Sequence, residues 1–265
     1  MKKFLLVLFA VILISACVQQ SGEGKLMIKM SADPNPVFAN SQTTLYIDVE
    51  NNSTREYKDV EIKLFDCAGF ISVNKNTCEC SKQIHNFNSG SLQTLQCLLT
   101  APDIPETATK TLYGAFKFNN EFNLIKTFEL ISKNEYQRRI NTHSLQILPR
   151  YYNFNDKNIA VEIEFSSDLP LIEDGDKYFY ITISNIGGGF VNIKKDDISI
   201  NLVQGSVVEK ADCNIGTFDI IENTKYPRIA CKIPNLKGDI ANYDININIK
   251  YQYEFRQHLD IIVKR

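Results

Sequence analysis

Three histidines, seven cysteines and two acidic clusters are the side chains of this 265-residue chain whose types could do chemistry. The histidines, His85, His143 and His258, stand far apart, and no His-x-x-x-His spacing exists to seat a metal. No G-x-S-x-G, phosphate-loop or dinucleotide fingerprint occurs. Gly187-Gly188-Gly189 has the composition of a phosphate cradle, but no helix pattern follows it, so a hairpin turn is the better reading. Glu173-Asp174-Gly175-Asp176, with Asp196 and Asp197, offers oxygens to calcium without the alternating spacing of a calcium loop, which favours a solvated turn. Cys67, Cys78, Cys80 and Cys97 stand at C-x10-C-x-C-x16-C, which lacks the C-x2-C knuckle common to zinc sites. Arg138-Arg139, with Arg150 and Tyr151-Tyr152, could grip an anion or simply pack a connection onto a domain. Asn51-Asn52-Ser53-Thr54 contains two overlapping N-x-[ST] acceptors, making Asn51 and Asn52 candidate glycan sites on a turn. The expectation is a non-enzyme with no catalytic residue, no metal site and no cofactor.

Whatever these residues do, they are presented by an exported body. Lys2 and Lys3 precede eleven uncharged, mostly aliphatic residues, Phe4 to Ile14, and then Ser15, Ala16 and Cys17. That is the n-region, apolar core and small-residue exit of a secretory signal. The apolar run is shorter than the ~20 residues a membrane-spanning helix needs. Ile14-Ser15-Ala16-Cys17 resembles the lipobox of prokaryotic lipoproteins, with Ile14 standing where that family most often has Leu. The resemblance implies cleavage before Cys17, lipid on Cys17, and residence on the extracellular face of the cell membrane. Simple secretion is the alternative. Val18 to Lys25 is short and mostly polar, as a flexible tether would be. The net charge of −2 leaves no basic field to attract nucleic acid.

Beyond the tether the sequence repeats itself. Leu45-Tyr46-Ile47-Asp48-Val49-Glu50-Asn51 returns in kind as Phe179-Tyr180-Ile181-Thr182-Ile183-Ser184-Asn185, each an alternating strand ending in Asn. Val60 to Leu64 is echoed by Ile198 to Leu202. Cys80 and Cys97 are echoed by Cys213 and Cys231, with Leu99 and Pro102 answering to Ile233 and Pro234. Each copy then shows a Tyr-led strand, from Tyr113 and from Tyr243, and a last apolar stretch at Phe128 and Leu130 or at Leu259 and Ile261. The offset stays between 130 and 138 residues throughout, so the order of matches argues for duplication. Tyr243, Ile245, Ile247, Ile249, Tyr251 and Tyr253 alternate with polar residues, which predicts a strand with one buried and one wet face. About seven such strands per copy predict an all-β protein of two tandem immunoglobulin-like antiparallel β-sandwiches. The expected limits are a signal peptide over 1–16, the lipidated Cys17 and tether over 17–25, sandwiches over 26–132 and 153–265, and a linker over 133–152. Within that linker, Lys133 to Thr142 can form a helical turn.

Ser31-Ala32-Asp33-Pro34-Asn35-Pro36 leading into Leu45 to Asn51 resembles the opening of the extracellular immunoglobulin-like modules called CARDB, as does Asp168-Leu169-Pro170 leading into Phe179 to Gly189. The resemblance covers about a third of each copy. It implies a sandwich fold and a surface role in adhesion or spacing, and it supplies no catalytic residues. The whole arrangement resembles prokaryotic surface lipoproteins, archaeal ones foremost.

With Cys17 set aside, six cysteines remain, an even number in an exported chain. The repeat narrows their pairing. The second copy has only Cys213 and Cys231, whose equivalents are Cys80 and Cys97, which leaves Cys67 for Cys78. The expected partners are the membrane, through the lipid, and another surface or membrane protein or a glycan. Two functional readings follow. One is a structural, adhesive or binding lipoprotein. The other is an accessory subunit of a secretion, pilus or transport complex that grips its partner through sandwich edges or loops.

Overall fold

The alternation read from the sequence becomes strand almost throughout. A computed structural model describes residues 26–73, 77–216 and 225–265. The leader and Cys17 lie outside the described residues. The first copy runs through β1 (Leu26–Asp33), β2 (Val37–Phe38), β3 (Gln42–Asn51), β4 (Tyr57–Asp66), β5 (Ile71–Ser72), β6 (Cys80–Phe87), β7 (Leu92–Thr100) and β8 (Ala108–Ile131). A helix, α1 (Lys133–Asn141), leads to the second copy. This comprises β9 (Tyr151–Asn155), β10 (Ile159–Phe165), β11 (Leu171–Ile172), β12 (Lys177–Asn185), β13 (Phe190–Asn192), β14 (Ile198–Gln204), β15 (Val207–Lys210), β16 (Asp212–Cys213), β17 (Ile229–Ile233) and β18 (Ile240–Lys264).

These strands form three sheets. One has the order β1-β3-β7-β5, one β16-β17-β12-β10-β9, and the third is nine-stranded with the path β15-β14-β18-β8-β4-β6. The chain is therefore all-β and built of antiparallel sheets in sandwich-like layers, and the duplicated strand pattern is visible in it. β3 and β12 both alternate strictly, with Leu45, Ile47 and Val49 buried in one and Phe179, Ile181 and Ile183 in the other. β18 keeps Tyr243, Ile245, Ile247, Ile249, Tyr251 and Tyr253 buried, as its period of two requires.

The third sheet departs from a simple tandem. β8 and β18, of 24 and 25 residues, pair antiparallel from Ala108 opposite Val263 to Ile131 opposite Ile240. In a seven-stranded immunoglobulin-like sandwich both sheets are built from strands of the one domain. Here neither strand turns. Around Phe118-Asn119-Asn120-Glu121-Phe122 the alternation continues unbroken, with Phe116, Phe118, Phe122 and Leu124 all buried on one face. Without a break in period, the strand has no reason to bend.

Each long strand therefore closes the other copy's sandwich. The far end of β18 lies beside the first half of β8 and pairs in parallel with β2, Val263 opposite Val37, both buried. Asn35 clamps that end, donating to the Asp260 carbonyl and accepting from the Ile262 amide at 3.2 and 3.1 Å. The far end of β8 pairs in parallel with β11, Leu130 opposite Leu171, and sets the Phe128 ring 5.1 Å from Phe165. Phe128 with Leu130, and Leu259 with Ile261, thus end the same strands that Tyr113 and Tyr243 begin. Backbone bonds between β8 and β18 run across the division expected at 133–152, which holds α1 and the start of β9.

The strands also correct the register of the repeat. Tyr243 is buried, whereas Tyr113 stands 39% exposed on the opposite face. The true counterpart of Tyr243 is Leu112, which is buried and keeps the spacing that relates Phe128 to Leu259. The same spacing relates Asn120 to Tyr251, and these two face each other in the ladder. An approximate two-fold axis therefore passes through that pair.

Candidate functional site

The residues at this axis form a buried polar cluster. Tyr251 is buried, and its hydroxyl donates to Asp156, itself only 8% exposed. Asn120 and Asn158 donate to the same phenol oxygen at 2.6 and 3.1 Å. The other oxygen of Asp156 accepts the Asn158 and Ile159 amides at 3.0 and 2.9 Å, so the turn between β9 and β10 is pinned to the crossing strands. Burial first, and then the hydrogen bond to and charge of Asp156, push the Tyr251 phenol well above its ordinary range. A phenol held neutral in this way is a locked donor that fastens the two copies together.

Two clefts flank the axis, one on each face of the shared sheet. The outer one, of about 760 Å³, is polar and of mixed charge, with Lys58, Lys194 and Lys250 set among Glu56, Glu121 and Asp197. The inner one, of about 470 Å³, has an aromatic floor. There Tyr57 meets Phe118 edge-on at 4.6 Å, and Phe255 packs on Tyr253 at 4.8 Å. Its walls are the turns at Asn52–Arg55, Asp156–Asn158 and Ile186–Gly188, contributed by both copies.

Those turns are built by the repeat's own asparagines. The Asn51 carbonyl oxygen accepts the Ser53 amide, and its NH2 donates to Arg55 O and Phe87 O at 2.8 and 2.9 Å. Asn185 repeats the arrangement, accepting from the Gly187 amide at 3.1 Å and donating to Gly189 O at 2.7 Å. Each asparagine carries the chain from one sheet to the other. Gly187-Gly188-Gly189 is therefore a crossing between sheets, from β12 to β13, rather than the expected hairpin. The glycines are required by Tyr253, whose hydroxyl accepts the Gly189 amide at 2.7 Å. A Cβ on Gly187 would lie 1.9 Å from that hydroxyl, and one on Gly189 would lie 2.5 Å from the Glu254 carbonyl.

The three disulfides join Cys67 to Cys78, Cys80 to Cys97 and Cys213 to Cys231, as the repeat predicts. Cys97 and Cys231 hold matching places, on β7 beside β3 and on β17 beside β12. Their partners differ. β6, carrying Cys80, belongs to the nine-stranded sheet, so that bridge ties two sheets together, whereas Cys213 on β16 lies opposite Cys231 within one sheet.

The other residues singled out by sequence are dispersed. Asn51 is fully buried with its amide bonded as above, so it cannot serve as a glycan acceptor in the folded chain; Asn52 is exposed. His85 sits on the exposed edge 3.7 Å from Asp59, His143 follows α1, and His258 lies beside the Tyr113 ring. Asp174 pairs with Lys177, Asp176 with Lys232, and Glu173 accepts the Leu236 amide. Asp197 accepts the Lys194 amide in a separate turn. Among the described residues no three His, Cys, Asp or Glu side chains gather as a metal site. Arg138 and Arg139 are held by Glu135, and Arg139 also by Glu129 of β8 at 2.7 and 2.9 Å, while Arg150 lies over Tyr151. The basic patch is thus a brace that docks α1 on β8. Sequence reasoning missed the cluster around Tyr251, because Asn120 and Asp156 lie far from Tyr251 in the chain and only the long-range register brings them together.

The chain matches no protein-family model and no curated protein. Among the described residues no helix is long and apolar enough to cross a membrane.

Proposed function

We propose that this chain is a lipid-anchored extracellular lipoprotein with a structural, adhesive or binding role and no catalytic activity. The observation that carries the proposal is the coupling of a leader-like sequence over residues 1–16, followed by Cys17, to an all-β body closed by three disulfides. Disulfides at this density belong to oxidising compartments. A sheet that runs unbroken through both copies resists bending where a tandem pair joined by a linker would hinge. Such a body suits a stiff module held off a membrane by a polar tether. Replacement of Cys17 by Ser tests the anchor. Loss of membrane retention is the expected result, and unchanged retention would refute lipid attachment.

One observation favours the second reading, an accessory subunit that grips a partner strand. On the side of β8 away from β18, pairing with β4 ends at Asn119 and pairing with β11 begins at Leu130. On β18, pairing with β13 ends at Glu254 and pairing with β2 begins at Val263. The stretches between present backbone edges of the kind that take an added strand. Crosslinking in native membranes followed by capture separates the readings. A stoichiometric partner linked to residues 120–129 or 255–259 favours the accessory subunit, and its absence favours the structural module.

A further inference from the structure

We propose that the inner cleft is a binding site for an acidic saccharide, with the carboxylate of the sugar held by Arg55 and Lys157. The inference rests on the reading of the chain as a surface binding protein and names the ligand class and the place. Charge comes first. Arg55 and Lys157 line the cleft from turns of the first and second copies respectively, and both are exposed. Among the described residues neither is paired with a carboxylate. The lone carboxylate lining the cleft, Asp156, is already bonded to Tyr251, Asn120 and two backbone amides. The cleft therefore offers two cations without counter-charge, which selects an anion.

The floor selects the body of that anion. Tyr57 and Phe255 are each partly exposed and stand on buried Phe118 and Tyr253. Aromatic faces backed so rigidly take flat apolar surfaces, and the C–H face of a pyranose ring is one. Thr54 on the rim brings a hydroxyl to hydrogen-bond sugar hydroxyls. An apolar floor, a few convergent polar groups and a volume of about 470 Å³ match a small-ligand site. The outer cleft has larger volume but mixed charge and no aromatic floor, so it makes an internal control. The strand exchange explains why the site exists only in the intact chain: Phe118 comes from β8, Tyr253 and Phe255 from β18, and the two cations from different copies.

The test is calorimetric titration of the intact, disulfide-bonded chain with galacturonate and glucuronate oligosaccharides, and with neutral glucose oligomers of equal length. The expected result is saturable binding of the acidic sugars. Double substitution Arg55→Gln and Lys157→Gln, at two exposed positions whose loss leaves the melting temperature unchanged, should weaken binding by at least about tenfold. Lys58→Gln with Lys250→Gln in the outer cleft should leave it unchanged. Equal binding of the neutral oligomers, full binding by the Arg55/Lys157 variant, or no binding of any sugar would each overturn the proposal. So would displacement by a peptide with an apolar C-terminal residue in preference to sugar, which would assign the cleft to a protein terminus. Failure here leaves the Cys17→Ser retention result standing, so this inference and the broader reading fall separately.

Discussion

Asn51 and Asn185 show how one side chain can define a repeat. Both close a turn by accepting the amide two residues on and donating to the carbonyl four residues on, at the point where the chain leaves one sheet for the other. Because Asn51 is fully buried, removing it strands two carbonyls and an amide without water. Asn51→Ala should therefore cost about 2–4 kcal/mol in urea unfolding, and Asn185→Ala, at a partly exposed position, should cost less. Equal and negligible losses would show that the turns stand without them. Where the host glycosylates its surface, peptide mapping should find glycan on Asn52 and none on Asn51. Glu135 gives a pH dependence. Hydrogen bonds from Arg138 and then Arg139 hold its carboxyl down to about 2, below its ordinary 4.5. A carboxylate depressed in this way stabilises fully above the unfolded value and loses that contribution as pH falls towards 2. Protection factors of the α1 amides, which take out the intrinsic pH dependence of exchange, should accordingly fall between about pH 4.5 and 2, while those of Glu135→Gln should be low across the window and show no such transition. Matching profiles for both chains would remove Glu135 from the docking of the helix.

The strands themselves were legible because period two survives in nearly all of them, and the bridges were legible because duplication halves the choices. The turn chemistry was read correctly as turns and wrongly as a hairpin at Gly187–Gly189, since composition does not say which sheet the next strand joins. The helix α1 carried a signal that went unused: Ser132 caps it by accepting the Glu135 amide at 3.1 Å, the spacing of a capping box. The aromatic cleft and the Tyr251 cluster were illegible for a different reason. Their members are brought together by a long-range register, and nothing in local pattern distinguishes Asn120 as a turn residue from Asn120 as a residue inside a 24-residue strand. The two equivalent bridges also differ in consequence. Cys213–Cys231 closes a short loop within one sheet, and Cys213→Ser with Cys231→Ser should cost about 2–3 kcal/mol. Cys80–Cys97 ties two sheets, so its loss should also raise exchange along β6 and β7 together. Exchange confined to one of them would contradict the inter-sheet role.

Taken as one body, the molecule is two similar units that have traded their final strands. Each copy lacks a closing strand of its own, and the apolar faces left open would include Leu112, Phe116 and Phe118 on one side and Tyr243, Ile245 and Ile247 on the other. Residues 26–132 expressed alone should fail to give a cooperatively melting monomer, and should regain one on mixing with residues 133–265. The shared sheet can also be read in the native chain without any substitution. Lys117 faces Glu254 at 3.7 Å, and Glu121 stands opposite Lys250 in the ladder. A zero-length carbodiimide, which joins only a carboxylate and an amine already in contact, should give Lys117–Glu254 and Glu121–Lys250 isopeptides in the monomer band. Monomer in which neither crosslink forms, with Lys117 coupled instead to carboxylates of its own copy, would contradict the exchange of strands.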